Sequence, residues 1–170
     1  VEPSKACFEA LKLNTAGLPN VELFNFAISP NDGEDYLVTI DSNTPPQSFF
    51  AFGSIQGREL VTCKTLATFF EENKIEHVDV LKIDTEGAEF VILPSDGFAK
   101  VADKIDMIVG ESHYNSAGGI PQMVPIILKG YGFKTEFLDI PNYIYKLHFT
   151  EQDGRQKTYE YQSGKNSYAA

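Results

Sequence analysis

The chain has 170 residues, 42% hydrophobic and 22% charged, which is the composition of an ordinary folded domain. Its formal net charge of −10 argues against nucleic acid or an anionic membrane surface as the main partner, because like charges repel. No apolar run approaches the roughly 20 residues that a membrane-spanning helix needs. Cys7 and Cys63 lack the spacing of a metal site and indicate a reducing compartment, so we expect a cytoplasmic protein.

Glycine, proline, asparagine and aspartate divide the first half of the chain into short elements. The stretch 42–57, rich in Ser, Pro, Gly and Phe, is predicted to be a long loop or a flap that covers something apolar. Thr65 is placed to cap a helix whose apolar residues fall on one face. The other predicted elements are a helix over 5–14 capped by Ser4, a strand over 21–28, and strands over 36–40 and 59–63 that pair with each other.

The stretch 78–89 organises the second half. Its first part is apolar and β-branched, which is typical of a strand buried on both faces of a parallel sheet. It ends at Asp84 and turns at once into a predicted helix that carries Glu86 and Glu89 on one face and ends before Pro94. Asp84 or Thr85 is placed to cap that helix. A second apolar strand, 105–111, also ends in a carboxylate.

The last elements are predicted to be a helix over 121–129 and two antiparallel strands over 133–138 and 143–149. Residues 1–149 therefore form one domain, and residues 150–170 are expected to be a polar tail or an extra hairpin. Strands that alternate with helices predict an α/β three-layer sandwich. Because ligands bind at the carboxyl ends of the strands in such folds, the acidic strand ends predict a binding rim.

The segment 81–89, Leu-Lys-Ile-Asp-Thr-Glu-Gly-Ala-Glu, resembles the central motif of the FkbM-type methyltransferases, which use S-adenosylmethionine (SAM). The resemblance covers roughly Val1 to Phe149. Four further segments agree with that family in order and spacing: Glu2-Pro3 with the helical residues 8–14, Ala27-Ile28-Ser29 with Gly33, Thr65-Leu66, and Glu111-Ser112-His113.

The resemblance implies a Rossmann-like class I methyltransferase sandwich with a mostly parallel sheet and a C-terminal antiparallel strand pair. The chain starts at what would be the end of the second strand, so the first strand and its glycine-rich SAM-binding turn are missing. Without the first strand, two strand edges would keep unpaired backbone groups. We therefore expect the sequence to be part of a longer protein, or another element to fill the gap.

The resemblance also assigns cofactor-binding residues. Glu2 would accept hydrogen bonds from the ribose hydroxyls of SAM, while Ala27 and Ile28 would flank the adenine. Asp84 would lie near the sulfonium and the methyl acceptor, and either Glu86 or Glu89 would line the cleft, with Glu86 assigned to the cofactor. Each also has a purely structural interpretation. Glu2 would be an exposed terminal residue, Ala27 and Ile28 would belong to the strand core, and the acidic residues after the strand would be favoured by a helix N-terminus.

A base would help to remove the proton of the acceptor. His113, close to Glu111, is the better match by intrinsic pKa, and Asp84 is its rival. Asp84, Glu86, Glu111 and His113 also permit a divalent-metal site, although we assign no metal ligands.

The expected function is methylation of a hydroxyl on a small molecule, sugar or natural product. The alternative is a non-catalytic α/β binding or interaction domain that retains the methyltransferase scaffold. A metal-dependent hydrolase built from the same carboxylates is a third and weaker hypothesis. The acceptor and the oligomeric state are not indicated by the sequence.

Overall fold

The computed structural model describes residues 1–39, 48–49, 55–113, 117–120, 122–138 and 146–152, the backbone alone for 136–138 and 146–152. The predicted flap over 42–57 therefore lies mostly outside the described residues. Within these ranges the helices are α1 Lys5–Thr15, α2 Leu66–Glu72, α3 Glu89–Ile92, α4 Asp96–Ala99 and α5 Met123–Gly130. The strands are β1 Ala27–Ile28, β2 Gly33–Thr39, β3 Gly57–Lys64, β4 Val78–Ile83, β5 Ile105–Ser112, β6 Phe133–Leu138 and β7 Lys146–Gln152.

A three-stranded sheet has the order β1-β3-β2. The predicted pairing of its two longer strands is confirmed, since β2 and β3 are antiparallel with Tyr36 opposite Leu60. The predicted strand over 21–28 is wrong before Ala27. There the Asn25 side chain donates hydrogen bonds to the carbonyls of Glu2 and Pro3, at 2.9 and 3.0 Å, and no strand ladder forms.

A four-stranded sheet has the order β4-β5-β7-β6. Strands β4 and β5 are parallel, whereas β7 is antiparallel to both of its neighbours, so the predicted C-terminal antiparallel pair is confirmed. The expectation of a mostly parallel sheet is wrong for the described residues, because only β1–β3 and β4–β5 pair in parallel. Strand β7 continues to Gln152, beyond the predicted domain boundary at 149, and the tail from 153 onward lies outside the described residues.

The two sheets are not joined by hydrogen bonds in the part of the chain that the structure describes. Strand β4 pairs with β5 on one edge only, and no described strand pairs with its other edge. The expectation that β4 is buried on both faces is therefore wrong: Val80, in its middle, is 45% exposed.

The main hydrophobic core packs α2 to α5 against β4 and β5, with Phe98, Ile105 and Leu128 fully buried. A smaller cluster fills the other sheet around Leu37 and Val61. Phe49, one of the described residues of the predicted flap, packs against both clusters and so connects them. Of the helices described, none is long and apolar enough to cross a membrane.

The helix starts show which capping predictions hold. Thr65 caps α2 as predicted, since its hydroxyl accepts from the Thr68 amide at 3.0 Å. Ser4 precedes α1, but its side chain makes no capping bond; its amide donates instead to the Glu2 carboxylate.

The predicted capping of α3 by Asp84 or Thr85 is wrong, because α3 begins only at Glu89 with Ala88 as its N-cap. The residues between β4 and α3 form a turn in which Glu86 and Gly87 have left-handed φ angles of 51° and 99°.

Candidate functional site

A cavity of about 660 Å³ lies in the gap between the two sheets. This volume falls within the range typical of small-molecule sites. Most of its wall is apolar and comes from β1, β2, α2 and β4, with Phe49 contributing from the loop after β2. The carboxylates of Glu2, Asp84 and Glu86 are the acidic groups in this lining.

All five residues that the sequence assigned to the cofactor line this one cavity: Glu2, Ala27, Ile28, Asp84 and Glu86. They come from three separate parts of the chain, the N-terminal segment, β1, and the end of β4 with the turn after it. The structure thus brings the five together, and their contacts with a cofactor stay a prediction.

Glu2 is held in place by its neighbours. Its Oε1 accepts a hydrogen bond from the Ser4 amide at 2.8 Å, and its own amide donates to the Phe24 carbonyl at 2.9 Å. A carboxylate has two oxygens with about four acceptor sites, so the bond to Ser4 leaves acceptor capacity for a ligand hydroxyl.

The parallel pairing of β4 and β5 builds the acidic rim. Ile83 lies opposite Gly110 in the ladder, and Asp84 and Glu111 follow on the same edge of the sheet. The strands approach closely here: a Cβ atom added to Gly110 would lie 2.7 Å from Ile83 Cγ2 and closer still to the Ile83 carbonyl oxygen. Glycine at position 110 therefore sets the spacing of the two carboxylates.

Asp84 stands between Lys82 and His113. Its Oδ2 pairs with Lys82 Nζ at 2.8 Å, and its Oδ1 lies 3.8 Å from His113 Nε2. Its side chain is 31% exposed, so the carboxylate is reachable from the cavity. Asp84 is therefore the rim residue that both faces the cavity and contacts the predicted base.

His113 is the centre of the charged cluster and only 5% exposed. Its Nε2 lies 3.8 Å from Glu86 and 3.9 Å from Glu111, in addition to Asp84, and its Nδ1 lies 3.5 Å from Glu89. Burial alone would lower the pKa of His113, but a hydrogen bond to Glu89 and the charges of Glu89, Glu86 and Asp84 outweigh it, so the pKa is raised.

The predicted catalytic residues therefore have different positions. Asp84 lines the cavity, whereas His113 and Glu111 are not among the residues that line it and lie behind Asp84 and Glu86. The predicted proximity of His113 and Glu111 is present at 3.9 Å, as one of four carboxylate contacts of the imidazole.

Glu89 is the residue of this cluster that was considered only as a possible lining residue of the cleft. The prediction that Glu86 and Glu89 share a face of one helix is wrong, because Glu86 lies in the turn and Glu89 begins α3 and is fully buried. The sequence signal that indicates its burial is its position directly before the apolar run Phe90 to Leu93.

Two groups of side chains in the described part of the chain are close enough to converge on a cation: Asp84 with Glu86 and His113, and His77 with Asp79 and Asp106. In each group the potential ligand atoms lie within 4.8 Å of one another. Carboxylates around a histidine gather in this way by charge attraction alone, so the geometry permits a metal without requiring one.

A mixed α/β domain with a parallel β4–β5 pair, an antiparallel C-terminal pair, and a cavity bordered by acidic strand ends fits the Rossmann-like methyltransferase class. The family model described as the methyltransferase FkbM domain matches residues 1–161, and the chain belongs to that family. Methyltransferases of this family are typically SAM-dependent. No curated protein and no solved structure matches the chain.

Proposed function

We propose that this protein is a SAM-dependent methyltransferase that methylates a hydroxyl of a small molecule, sugar or natural product. The observation that carries the proposal is the convergence of Glu2, Ala27, Ile28, Asp84 and Glu86 on one cavity. These residues come from three separate parts of the chain, and the fold brings them to the same cavity.

The lining of the cavity fits SAM chemically. Ala27 and Ile28 offer an apolar surface for the adenine, Glu2 offers carboxylate oxygens to the ribose hydroxyls, and Asp84 and Glu86 offer negative charge to a sulfonium. When bound, SAM supplies an electrophilic methyl group. The protein must hold the acceptor in line with that group and exclude water, which an apolar cavity favours.

Methylation of a hydroxyl would form an oxygen–methyl bond while the sulfur–methyl bond of SAM breaks and S-adenosylhomocysteine leaves, and it would require removal of the hydroxyl proton. Asp84 lines the cavity and its Oδ1 lies 3.8 Å from His113 Nε2, so a hydroxyl in the cavity can hydrogen-bond to Asp84, with His113 directly behind it. We assign orientation of the acceptor and first acceptance of its proton to Asp84, and His113 Nε2 behind it then takes the proton, with Glu111 helping to stabilise the resulting imidazolium. No metal has a role in this scheme.

We also propose a cytoplasmic location. Cys7 and Cys63 are both free thiols, which agrees with a reducing compartment.

Calorimetric titration of the protein with SAM tests the proposal. We expect saturable binding of one SAM, weakened about tenfold or more in Glu2→Gln because hydrogen bonds to charged acceptors contribute about 1.5–3 kcal/mol. Glu22→Gln removes an equal charge at an exposed site outside the cavity lining and should bind as the wild type does.

Absence of SAM binding to the wild type would overturn the proposal. Transfer of a labelled methyl group from SAM to a panel of hydroxyl compounds tests catalysis separately. Binding without transfer to any of them would favour the non-catalytic alternative.

A further inference from the structure

Glu89 is a fully buried carboxylate next to the site. Its Oε1 accepts hydrogen bonds from the amide and the hydroxyl of Thr85, both at 2.8 Å, and its Oε2 accepts from the Gly87 amide at 3.1 Å. A buried charge is costly unless hydrogen bonds and counter-charges compensate it. The three donors and the nearby His113 supply that compensation, so Glu89 is built into the site as an ionised group.

The hydrogen bonds of Glu89 hold a strained turn. Glu86, between the two donor residues, has a φ of 51°, a left-handed conformation that non-glycine residues rarely adopt. Glu89 fixes the backbone on both sides of it, at Thr85 and Gly87. The Glu86 carbonyl also accepts from the Ser48 hydroxyl at 2.7 Å. This conformation presents Glu86 to the cavity.

Glu89 also distinguishes the two nitrogens of His113. It lies 3.5 Å from Nδ1, whereas Asp84, Glu86 and Glu111 all lie on the Nε2 side at 3.8 to 3.9 Å. The Glu89 side chain is only 1% exposed, whereas the three carboxylates near Nε2 are 31 to 49% exposed and screened by water, so the contact with Glu89 favours a proton on Nδ1 and leaves Nε2 as the base.

We propose that Glu89 is a positioning residue that keeps Nδ1 of His113 protonated, so that Nε2 is the basic nitrogen, and fixes the turn that presents Glu86 to the cavity. Its part in catalysis rests on the proposed function, whereas its action on His113 does not. Burial alone would raise the pKa of Glu89, but hydrogen bonds from His113 and Thr85 outweigh it and the pKa is lowered, so the carboxylate stays ionised at neutral pH.

The test is an NMR titration of the histidine ring nitrogens in the whole protein, with His113 assigned from its missing signal in His113→Asn. In the wild type we expect a pKa above the usual 6.5 and, at high pH, a neutral ring protonated on Nδ1. In Glu89→Gln the pKa should fall and the Nδ1-protonated fraction should decrease. Glu89→Asp keeps the charge and should restore part of both signals, while Glu71→Gln, at an exposed site on α2, should change neither.

An unchanged pKa and tautomer of His113 in folded Glu89→Gln would overturn the proposal. If Glu89→Gln does not fold, the reciprocal measurement decides: His113→Asn should raise the pKa of the Glu89 carboxyl, followed by carboxyl carbon NMR, and an unchanged Glu89 titration would refute the pairing. These spectra need no SAM. A protein that shows the shifts but does not bind SAM would refute the proposed function and leave the role of Glu89 intact.

Discussion

Gly110→Ala is the substitution whose effect the structure defines most closely. A Cβ atom at position 110 would lie 2.7 Å from Ile83 Cγ2, where carbon atoms normally stand 3.5–4.0 Å apart. Strands β4 and β5 must therefore separate locally by roughly 1 Å. Because Asp84 and Glu111 directly follow the clashing pair, the same displacement moves both carboxylates of the rim.

Overpacking of this kind costs about 1–3 kcal/mol, which for a chain of this length lowers the melting temperature by about 3 to 10 °C. We expect the folded variant also to bind SAM more weakly. Differential scanning calorimetry and SAM titration measure the two effects. The matched control is Gly130→Ala at the end of α5, where an added Cβ meets nothing within 4 Å and helix propensity favours alanine. If Gly110→Ala melts like the wild type and binds SAM equally, the close approach of β4 and β5 does not set the rim.

Three further predictions concern stability and the cavity. Thr65→Ala removes the N-cap of α2 and should cost about 1 kcal/mol in a denaturant titration; an unchanged midpoint would show that the cap is dispensable. Phe49→Ala should cost about 1–2 kcal/mol and weaken SAM binding, because this ring joins both hydrophobic clusters and lines the cavity; wild-type stability and affinity would contradict that placement. The lowered pKa of Glu89 stabilises the fold above its usual value of 4.5, and this contribution disappears as the pH falls through the folded pKa. The stability difference between wild type and Glu89→Gln should therefore be largest above pH 4.5 and shrink in acid, and a pH-independent difference would argue against an ionised Glu89.

Elements with strong local signals could be predicted from the sequence. Strands β4 and β5, the antiparallel pair β6–β7 and the Thr65 cap all follow from apolar runs, turn residues and capping chemistry in short windows. The acidic rim followed as well, because parallel neighbours carry their carboxyl ends to the same edge.

The predictions that failed have a common physical cause: the backbone conformation at these positions depends on side-chain hydrogen bonds or on residues distant in the sequence. The strand over 21–28 shortens to Ala27–Ile28 because the Asn25 side chain bonds to the N-terminal segment. The predicted helix does not begin directly after Asp84. The chain forms a left-handed turn there instead, because the buried Glu89 accepts hydrogen bonds from the amides of Thr85 and Gly87. How far β4 is exposed depends on which strands lie beside it in the sheet, and a short stretch of sequence does not specify those neighbours.

The candidate site was also predicted only in part from the sequence. Residue types and spacing indicated which carboxylates gather at the rim, but not that His113 would be buried behind Asp84 with carboxylates around both ring nitrogens. That arrangement requires β5 and the turn after β4 to meet in three dimensions.

The central claim is that the acidic rim of the cavity recognises a sulfonium. The most direct test compares the dissociation constants of SAM and of S-adenosylhomocysteine, whose sulfur is neutral, in the wild type and in Asp84→Asn. Because Asp84 is partly exposed, its charge contributes about 1 kcal/mol, so the variant should bind SAM roughly fivefold more weakly and S-adenosylhomocysteine almost unchanged. Asp79→Asn, at the opposite end of the same strand, should leave both affinities as they are. An equal loss for the two ligands in Asp84→Asn, or no loss for either, would contradict the claim.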